Sequence, residues 1–184
     1  CSQQTTNRVS NMSRLLGDHW QLYKDSYSLE FTKRYSMRLV NHQESVASHS
    51  YFVCLALMLL IEDYNFELGD ALQMAVAHDI PEIAVSDVNH FVKRQFPAVA
   101  KELKIAEATF AESLPPTLRA AYTAHLSGSK EAQFVEYADT LQVVQYAMLE
   151  VRMGNVFMRE VVDQALARCE QHEARLRPYL YKKD

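Results

Sequence analysis

The stretch Met74–Asp87, MAVAHDIPEIAVSD, decides how this chain is read. It opens as an apolar run at helical spacing. It then sets His78 beside Asp79, with Glu82 and Asp87 close behind. Pro81 lacks a backbone donor and clashes with the preceding turn, so a helix arriving at His78–Asp79 ends or kinks there. One imidazole and three carboxylates at the end of a segment built for burial cost several kcal/mol unless they are paired, hydrogen-bonded or bound to a metal.

Outward from this stretch the pattern is helical. The chain holds only four glycines and five prolines and shows no hairpin signal, so the expected fold class is all-α. Helices are expected over 9–24, 45–63, 69–79, 97–112, 116–126, 130–153 and 155–177, with a shorter helical stretch before Arg34. Gly69, Gly128 and Gly154 punctuate long helical patterns, and Pro115–Pro116 opens another. Ser129 and Asn155 stand where N-caps belong. With 184 residues, 48% of them hydrophobic, one domain has a sizeable core without disulfides. The expected organisation is a single domain over 1–184, with a motif-bearing core at about 30–150 and a C-terminal helix at 155–177.

Composition excludes several functions. A net charge of -4 leaves no broad basic face, which argues against duplex nucleic acid as a partner. A local basic pocket for a small anion stays open. The longest strongly apolar run, Tyr51–Ile61, is too short to span a bilayer, and no secretory signal is visible. Cys1, Cys54 and Cys169 are odd in number and form no CxxC pair, so the expected setting is reducing and cytoplasmic.

Two further residues share the character of His78–Asp79. In 130–153, Phe134, Ala138, Leu141, Val144, Met148 and Val151 form a stripe that should face the core, and Asp139 sits beside it. His49 stands in SVASHSYFVCLALMLL, at the start of the most apolar helix. Two imidazoles and two carboxylates suit a divalent transition ion better than Ca, which prefers all-oxygen shells. Adjacent helical residues point about 100° apart, so His78 and Asp79 approach one ion only from a helix end. Pro81 supplies that end. Taken singly, each residue also has an ordinary reading: a satisfied core histidine, or an aspartate bonded to a backbone amide. His19, His42, His90, His125 and His172 are read in that ordinary way.

The order His…His-Asp…Asp on successive helices resembles the HD-domain metal-dependent phosphohydrolases, and among them the YfbR-like 5′-deoxynucleotidase group. Arg34-Tyr35 precede His49 of ASHS with fifteen residues from Arg to His. HDIPE supplies His78, Asp79 and Glu82. Asp87 follows Glu82 by five, Lys93 comes six further on, and YADTL supplies Asp139. The likeness spans about residues 30–150. Phage dATP triphosphohydrolases are similar in size and motifs.

The resemblance implies a single HD-domain helical bundle with one buried divalent metal ion (Co, Mn, Zn or Fe) held by His49, His78, Asp79 and Asp139. It assigns the chemistry to Asp79 and Glu82. Arg34 would grip phosphate, Tyr35 would pack on the sugar, Asp87 would accept a hydrogen bond from the 3′-hydroxyl, and Lys93 would add positive charge, with Arg94 competing for that role. The implied reaction is hydrolysis of a deoxynucleoside 5′-monophosphate. The alternative is release of triphosphate from a deoxynucleoside triphosphate, with Lys93, Arg94 and Lys130 available to a longer substrate. A helical binding module with a structural metal is a third reading, and Glu82 and Arg34 argue against it. A homodimer or higher homo-oligomer is also expected. The apolar residues of 141–158 exceed what one helix buries, which points to the C-terminal helices as the contact. Three positions depart from the group: Tyr35 replaces Trp, Ser48 replaces the Glu of SEHS, and Ala124 stands where a Glu commonly precedes the position of His125.

Overall fold

The computed structural model describes residues 16–181. Among them the elements are helical: α1 Trp20–Ser26, α2 Ser28–Phe31, α3 Val46–Leu60, α4 Leu68–Ala77, α5 Glu82–Val85, α6 His90–Gln95, α7 Pro97–Glu112, α8 Pro116–His125, α9 Lys130–Arg152 and α10 Arg159–Leu176. Short 3-10 turns precede α1 and flank α10. The all-α expectation holds. Residues 9–15 of the first expected helix lie outside the described residues, and its remainder is the turn Gly17–His19 followed by α1. No described helix is long and apolar enough to cross a membrane.

Helix starts follow the expected chemistry. Ser45 caps α3 by accepting from Ser48 N at 3.0 Å, and Ser129 caps α9 by accepting from Ala132 N at 3.2 Å. Pro97 and Pro116 occupy first-turn positions, where a missing N–H costs nothing. Two expectations need correction. Gly69 does not separate helices but lies in the first turn of α4. Asn155 makes no side-chain cap; its amide donates instead to Leu39 O at 2.8 Å and to Glu150 Oε2 at 2.9 Å.

Helix α9 is the axis of the bundle and packs on α3, α4, α8 and α10. Its expected stripe is buried or half-buried, but burial extends to Val135, Tyr137, Val143, Tyr146 and Ala147 on other sides. A helix enclosed by four neighbours has no single core face. The main core joins Val53 and Leu57 of α3, Met74 and Ala75 of α4, Phe134 and Ala138 of α9, and Ala165, Cys169 and Leu176 of α10. Phe66 stacks on Phe134 with centroids 4.2 Å apart. Each fully buried side chain of this size stabilises by about 1.5–3 kcal/mol. A second cluster, Ala77, Ile80, Ala111, Leu114, Ala121 and Tyr122, fixes the end of α4 against α7 and α8. That packing holds the HD dipeptide where it must be.

Candidate active site

Three helices deliver the candidate ligands. His49 lies one turn into α3 on its buried face and is 0% exposed. Helix α4 ends at Ala77, so His78 caps it, donating its backbone N–H to Met74 O at 2.9 Å. Pro81 breaks the ladder, and the chain turns into α5 with Glu82 N donating to Asp79 O at 3.0 Å. His78 and Glu82 therefore belong to different helices rather than to one helical face. Asp139 sits mid-way along α9.

The side chains converge. His78 Nε2 lies 3.2 Å from Asp79 Oδ2, and His49 Nε2 lies 3.7 Å from the same oxygen. Ligand atoms of His49, His78 and Asp79 all fall within 4.8 Å of one another. Asp139 adjoins them, with Oδ1 3.2 Å from His49 Nε2, and is the more open member at 42% side-chain exposure. Both imidazoles are oriented from behind. His49 Nδ1 meets Gln142 Oε1 at 2.7 Å, and His78 Nδ1 meets Ala75 O at 2.6 Å. Carbonyl oxygens only accept, so each Nδ1–H donates, and in the neutral ring the lone pair falls on Nε2. His49 Nε2, His78 Nε2 and Asp79 Oδ2 are buried without a hydrogen-bond partner among the described residues. Buried polar atoms are rarely left so. Converging lone pairs, each backed by an outer hydrogen bond, fit a divalent transition ion.

The electrostatics agree. Burial alone would raise Asp79, but His78, His49 and Arg34 together hold it well below the usual carboxylate range. Burial would likewise raise Asp139, and its contact with His49 and the charges of Arg34 and His78 bring it to about 2. Burial opposes charge on His78, yet Asp79 and Asp139 outweigh it and lift the ring to about 9. The cluster thus draws a cation, whether a proton or a metal ion.

Around the cluster stand the expected partners. Arg34 is half-buried, with its guanidinium 3.7 Å from Asp79 Oδ2 and 3.5 Å from Glu44 Oε2. Burial would lower it, but Asp139 and Asp79 more than compensate, so it stays charged. Its loop is pinned from both ends. Arg34 N donates to Glu44 O at 3.0 Å. Further along, Asn41 N and His42 N each donate to the buried carboxylate of Glu150 at 2.7 Å. Within this loop Tyr35 takes a left-handed backbone, φ 57°, a strained conformation for an aromatic residue. The Tyr35 ring stacks on Tyr146 at 4.9 Å.

Glu82 is half-buried, and its Oε2 is buried without a partner. Burial, then the charges of Asp79 and Asp87, push its carboxyl up to about 8 against the opposing pull of Arg34 and Lys93. Asp87 is raised by burial, with Arg34 and Lys93 pulling it back. Lys93 thus acts electrostatically on both carboxylates, whereas Arg94 is exposed. Lys130 pairs with Glu131 at 3.4 Å, nine residues ahead of Asp139, and is not brought to this cluster. Two site-lining residues escaped the sequence reading, Glu44 and Gln142. His125 is a third surprise: its ring stands edge-on to His78 at 5.7 Å, and its Nδ1 is buried and unpartnered.

A helical bundle carrying His, His-Asp and Asp from successive helices around one cation-seeking cluster defines an HD-domain metal-dependent phosphohydrolase. The chain belongs to the YfbR-like 5′-deoxynucleotidase family, whose model matches residues 22–180, and is a nucleotide phosphohydrolase. Solved structures share the fold. A conserved hypothetical protein from Pyrococcus furiosus is 23% identical, with a TM-score of 0.74 over 86% of this chain and 94% of its own. An HD-domain phosphohydrolase from Listeria innocua is 20% identical, with a TM-score of 0.69 over 84% of this chain and 81% of its own. The cyanophage S-2L HD phosphohydrolase DatZ, solved with dA and one catalytic Zn2+ ion, is 16% identical, with a TM-score of 0.55 over 83% of this chain and 96% of its own. No curated protein sequence matches the chain.

Proposed function

We propose that this enzyme hydrolyses deoxynucleoside 5′-monophosphates to deoxynucleoside and phosphate. The observation that carries the reading is the set of buried, unpartnered His49 Nε2, His78 Nε2 and Asp79 Oδ2 with Arg34 beside them. His49, His78, Asp79 and Asp139 would hold one divalent ion, with Zn, Mn, Co and Fe all compatible with N and O donors. Such an ion polarises the phosphoryl group and lowers the pKa of a bound water. Arg34 offers its planar fork to two phosphate oxygens. Water attacks phosphorus, the bond from phosphorus to the 5′-oxygen breaks, and Glu82, protonated at neutral pH, gives its proton to the departing oxygen. Asp87 receives the 3′-hydroxyl, and Tyr35, held rigid on Tyr146, walls the sugar where a 2′-hydroxyl would need room.

One observation favours a second reading, triphosphate release. A groove of about 530 Å³ runs beside α7, lined by Lys93, Lys101 and Lys104 over Pro97, Ala100, Ile105 and Ala108. None of these lysines has a carboxylate within 4.0 Å among the described residues. Cations there suit phosphates beyond the first. A panel of deoxy- and ribonucleoside mono- and triphosphates separates the readings. The first expects free phosphate from deoxynucleoside monophosphates and a preference over ribonucleotides. Triphosphate as product would establish the second. Absence of metal-dependent hydrolysis across the panel would overturn both.

We also place a second copy of the chain on α3. Tyr51, Phe52, Leu55, Met58 and Leu59 line one face of that helix and are 39–65% exposed. Five such side chains present on the order of 400–500 Å² of apolar surface. A standard interface takes about 800 Å² per partner, a little over half of it apolar. Helix α3 carries no Asp, Glu, Lys or Arg, so it can cross its own copy about a two-fold axis without opposing like charges. Leu149, Met153, Val156 and Phe157 also remain exposed, as the C-terminal expectation required, but they straddle the end of α9 rather than forming one helix face. Sedimentation should show a dimer that Leu59→Glu dissociates and Phe157→Glu does not. A wild-type monomer at micromolar concentration, or the reverse pattern in the variants, would remove α3 as the interface.

A further inference from the structure

Behind His49 runs a chain of buried polar contacts with a fixed sense of donation. Glu44 is 4% exposed and Gln142 is 6% exposed, so neither has water to fall back on. Arg34 stands 3.5 Å from Glu44 Oε2. Gln142 Nε2 donates to Glu44 Oε1, and Gln142 Oε1 meets His49 Nδ1 at 2.7 Å. Guanidinium only donates, and an ionised carboxylate only accepts. Glu44, facing Arg34, therefore compels Gln142 to turn its NH2 toward the carboxylate. The amide oxygen is left for His49, so Nδ1 must carry a proton, and in the neutral ring the lone pair falls on Nε2. A flipped amide would set oxygen against oxygen at Glu44 in a buried place, where an unmade hydrogen bond costs its full desolvation penalty.

We propose that Glu44 and Gln142 are a positioning pair that fixes the tautomer of His49 and ties it to Arg34. One buried carboxylate then aligns the metal-side imidazole and the phosphate-side guanidinium together. The proton on Nδ1 follows from donors and acceptors alone. Its consequence for metal affinity rests on the ligand role of His49 proposed above.

The departures from ordinary packing support the pair. Glu44 reaches the site from a loop, five residues ahead of the helix ligand it serves, and its backbone C=O also accepts from Arg34 N. A carboxylate that served only to neutralise Arg34 would not need the second, side-chain donor on its other oxygen. A glutamine that served only as filler in α9 would be replaced without loss by an apolar residue of similar size.

The test reads the ring directly. Nitrogen-15 shifts of the His49 side chain in the metal-free protein, recorded at a pH where the ring is neutral, should report the Nδ1–H tautomer in wild type. Gln142→Leu removes the acceptor, and the isosteric Glu44→Gln removes the charge that orders the amide. Both should convert His49 to a mixture of tautomers. Titration with Co2+ alone, followed by calorimetry, should show about 10- to 100-fold weaker binding in each variant, the usual consequence of losing an outer partner of a metal-bound histidine. Because the two residues act along one path, the double variant should lose little more than the larger single loss. Glu173→Gln, which alters the acceptor of the Tyr137 hydroxyl outside this chain of contacts, should leave the His49 ring as in wild type. An unchanged tautomer in Glu44→Gln, or a Glu173→Gln variant that disturbs His49 equally, overturns the proposal. Wild-type protein that hydrolyses no nucleotide while the tautomer responds as described would remove the enzymatic reading and leave the positioning pair standing.

Discussion

Asp79→Ala is expected to remove the metal and the hydrolysis together. Asp79 Oδ2 is the hub of the cluster, 3.2 Å from His78 Nε2, 3.7 Å from His49 Nε2 and 3.7 Å from the Arg34 guanidinium. Among the described residues no other carboxylate meets all three. Asp139 reaches His49 on the other side but stands outside the mutually close set. With the hub gone, the ion loses a carboxylate ligand and the anion that stands between it and the Arg34 guanidinium, and Asp139 with two neutral imidazoles is left to hold it. Elemental analysis should find stoichiometric metal in wild type and essentially none in the variant, with turnover at background. Loss of one member of a buried charged set also destabilises, by about 3–5 kcal/mol where the remaining charges stay buried. Circular dichroism therefore accompanies the assay, and Asp79→Asn, which keeps the volume, serves if the alanine variant unfolds. A folded variant that retains stoichiometric metal would show that the ion is not held here.

How far this site could be read beforehand depended on local contrast. His49, His78, Asp79 and Asp139 each interrupt or border an apolar helical run, so burial of a polar group was visible in the residue order. Gln142 carries the same signal, three residues after Asp139 in LQVV, but a helix assigned a single core face by its apolar stripe places Gln142 outside that face. Helix α9 is enclosed on nearly all sides, so its polar residues are as informative as its apolar ones. Glu44 offered no contrast at all. It lies in NHQES, among other polar residues, and only the folding of the 32–45 loop onto α3 and α9 buries it. The long helices were legible from periodicity, serine caps and first-turn prolines. Helices α5 and α6 span four and six residues, too short to show a period, and are set by the break at Pro81 and by the Asn89 cap on Phe91 N at 2.7 Å. Helix α3 was legible as a helix but not in its orientation. Being apolar all round, it gave no reason to expect Val46, His49, Val53 and Leu57 inside with Tyr51, Met58 and Leu59 outside.

Glu82→Gln is expected to keep the metal and the substrate while losing turnover. Glu82 contributes nothing to the close set of His49, His78 and Asp79, so its amide analogue should not disturb an ion held there. Its distinction is the proton. Burial first, then Asp79 and Asp87, raise its carboxyl to about 8, so it is loaded at neutral pH and sits among charges that make release useful. Removing a general acid typically costs about 10²- to 10⁴-fold in rate. The pH profile supplies the sign. A group acting as an acid loses effect as pH rises through its pKa, so wild-type turnover should fall on the alkaline side. A bound divalent ion beside Asp79 offsets that carboxylate's charge, which sets the alkaline limb below about 8 in the loaded enzyme. Asp87→Asn deletes a negative neighbour that favours the protonated form, so it should move the limb to lower pH. Lys93→Ala deletes a positive neighbour that favours the ionised form, so it should move the limb to higher pH. Glu82→Gln should have no such limb. Near-normal turnover in Glu82→Gln would show that the leaving oxygen takes its proton from elsewhere. An alkaline limb that persists in that variant, and ignores both neighbours, would assign the titration to a different group.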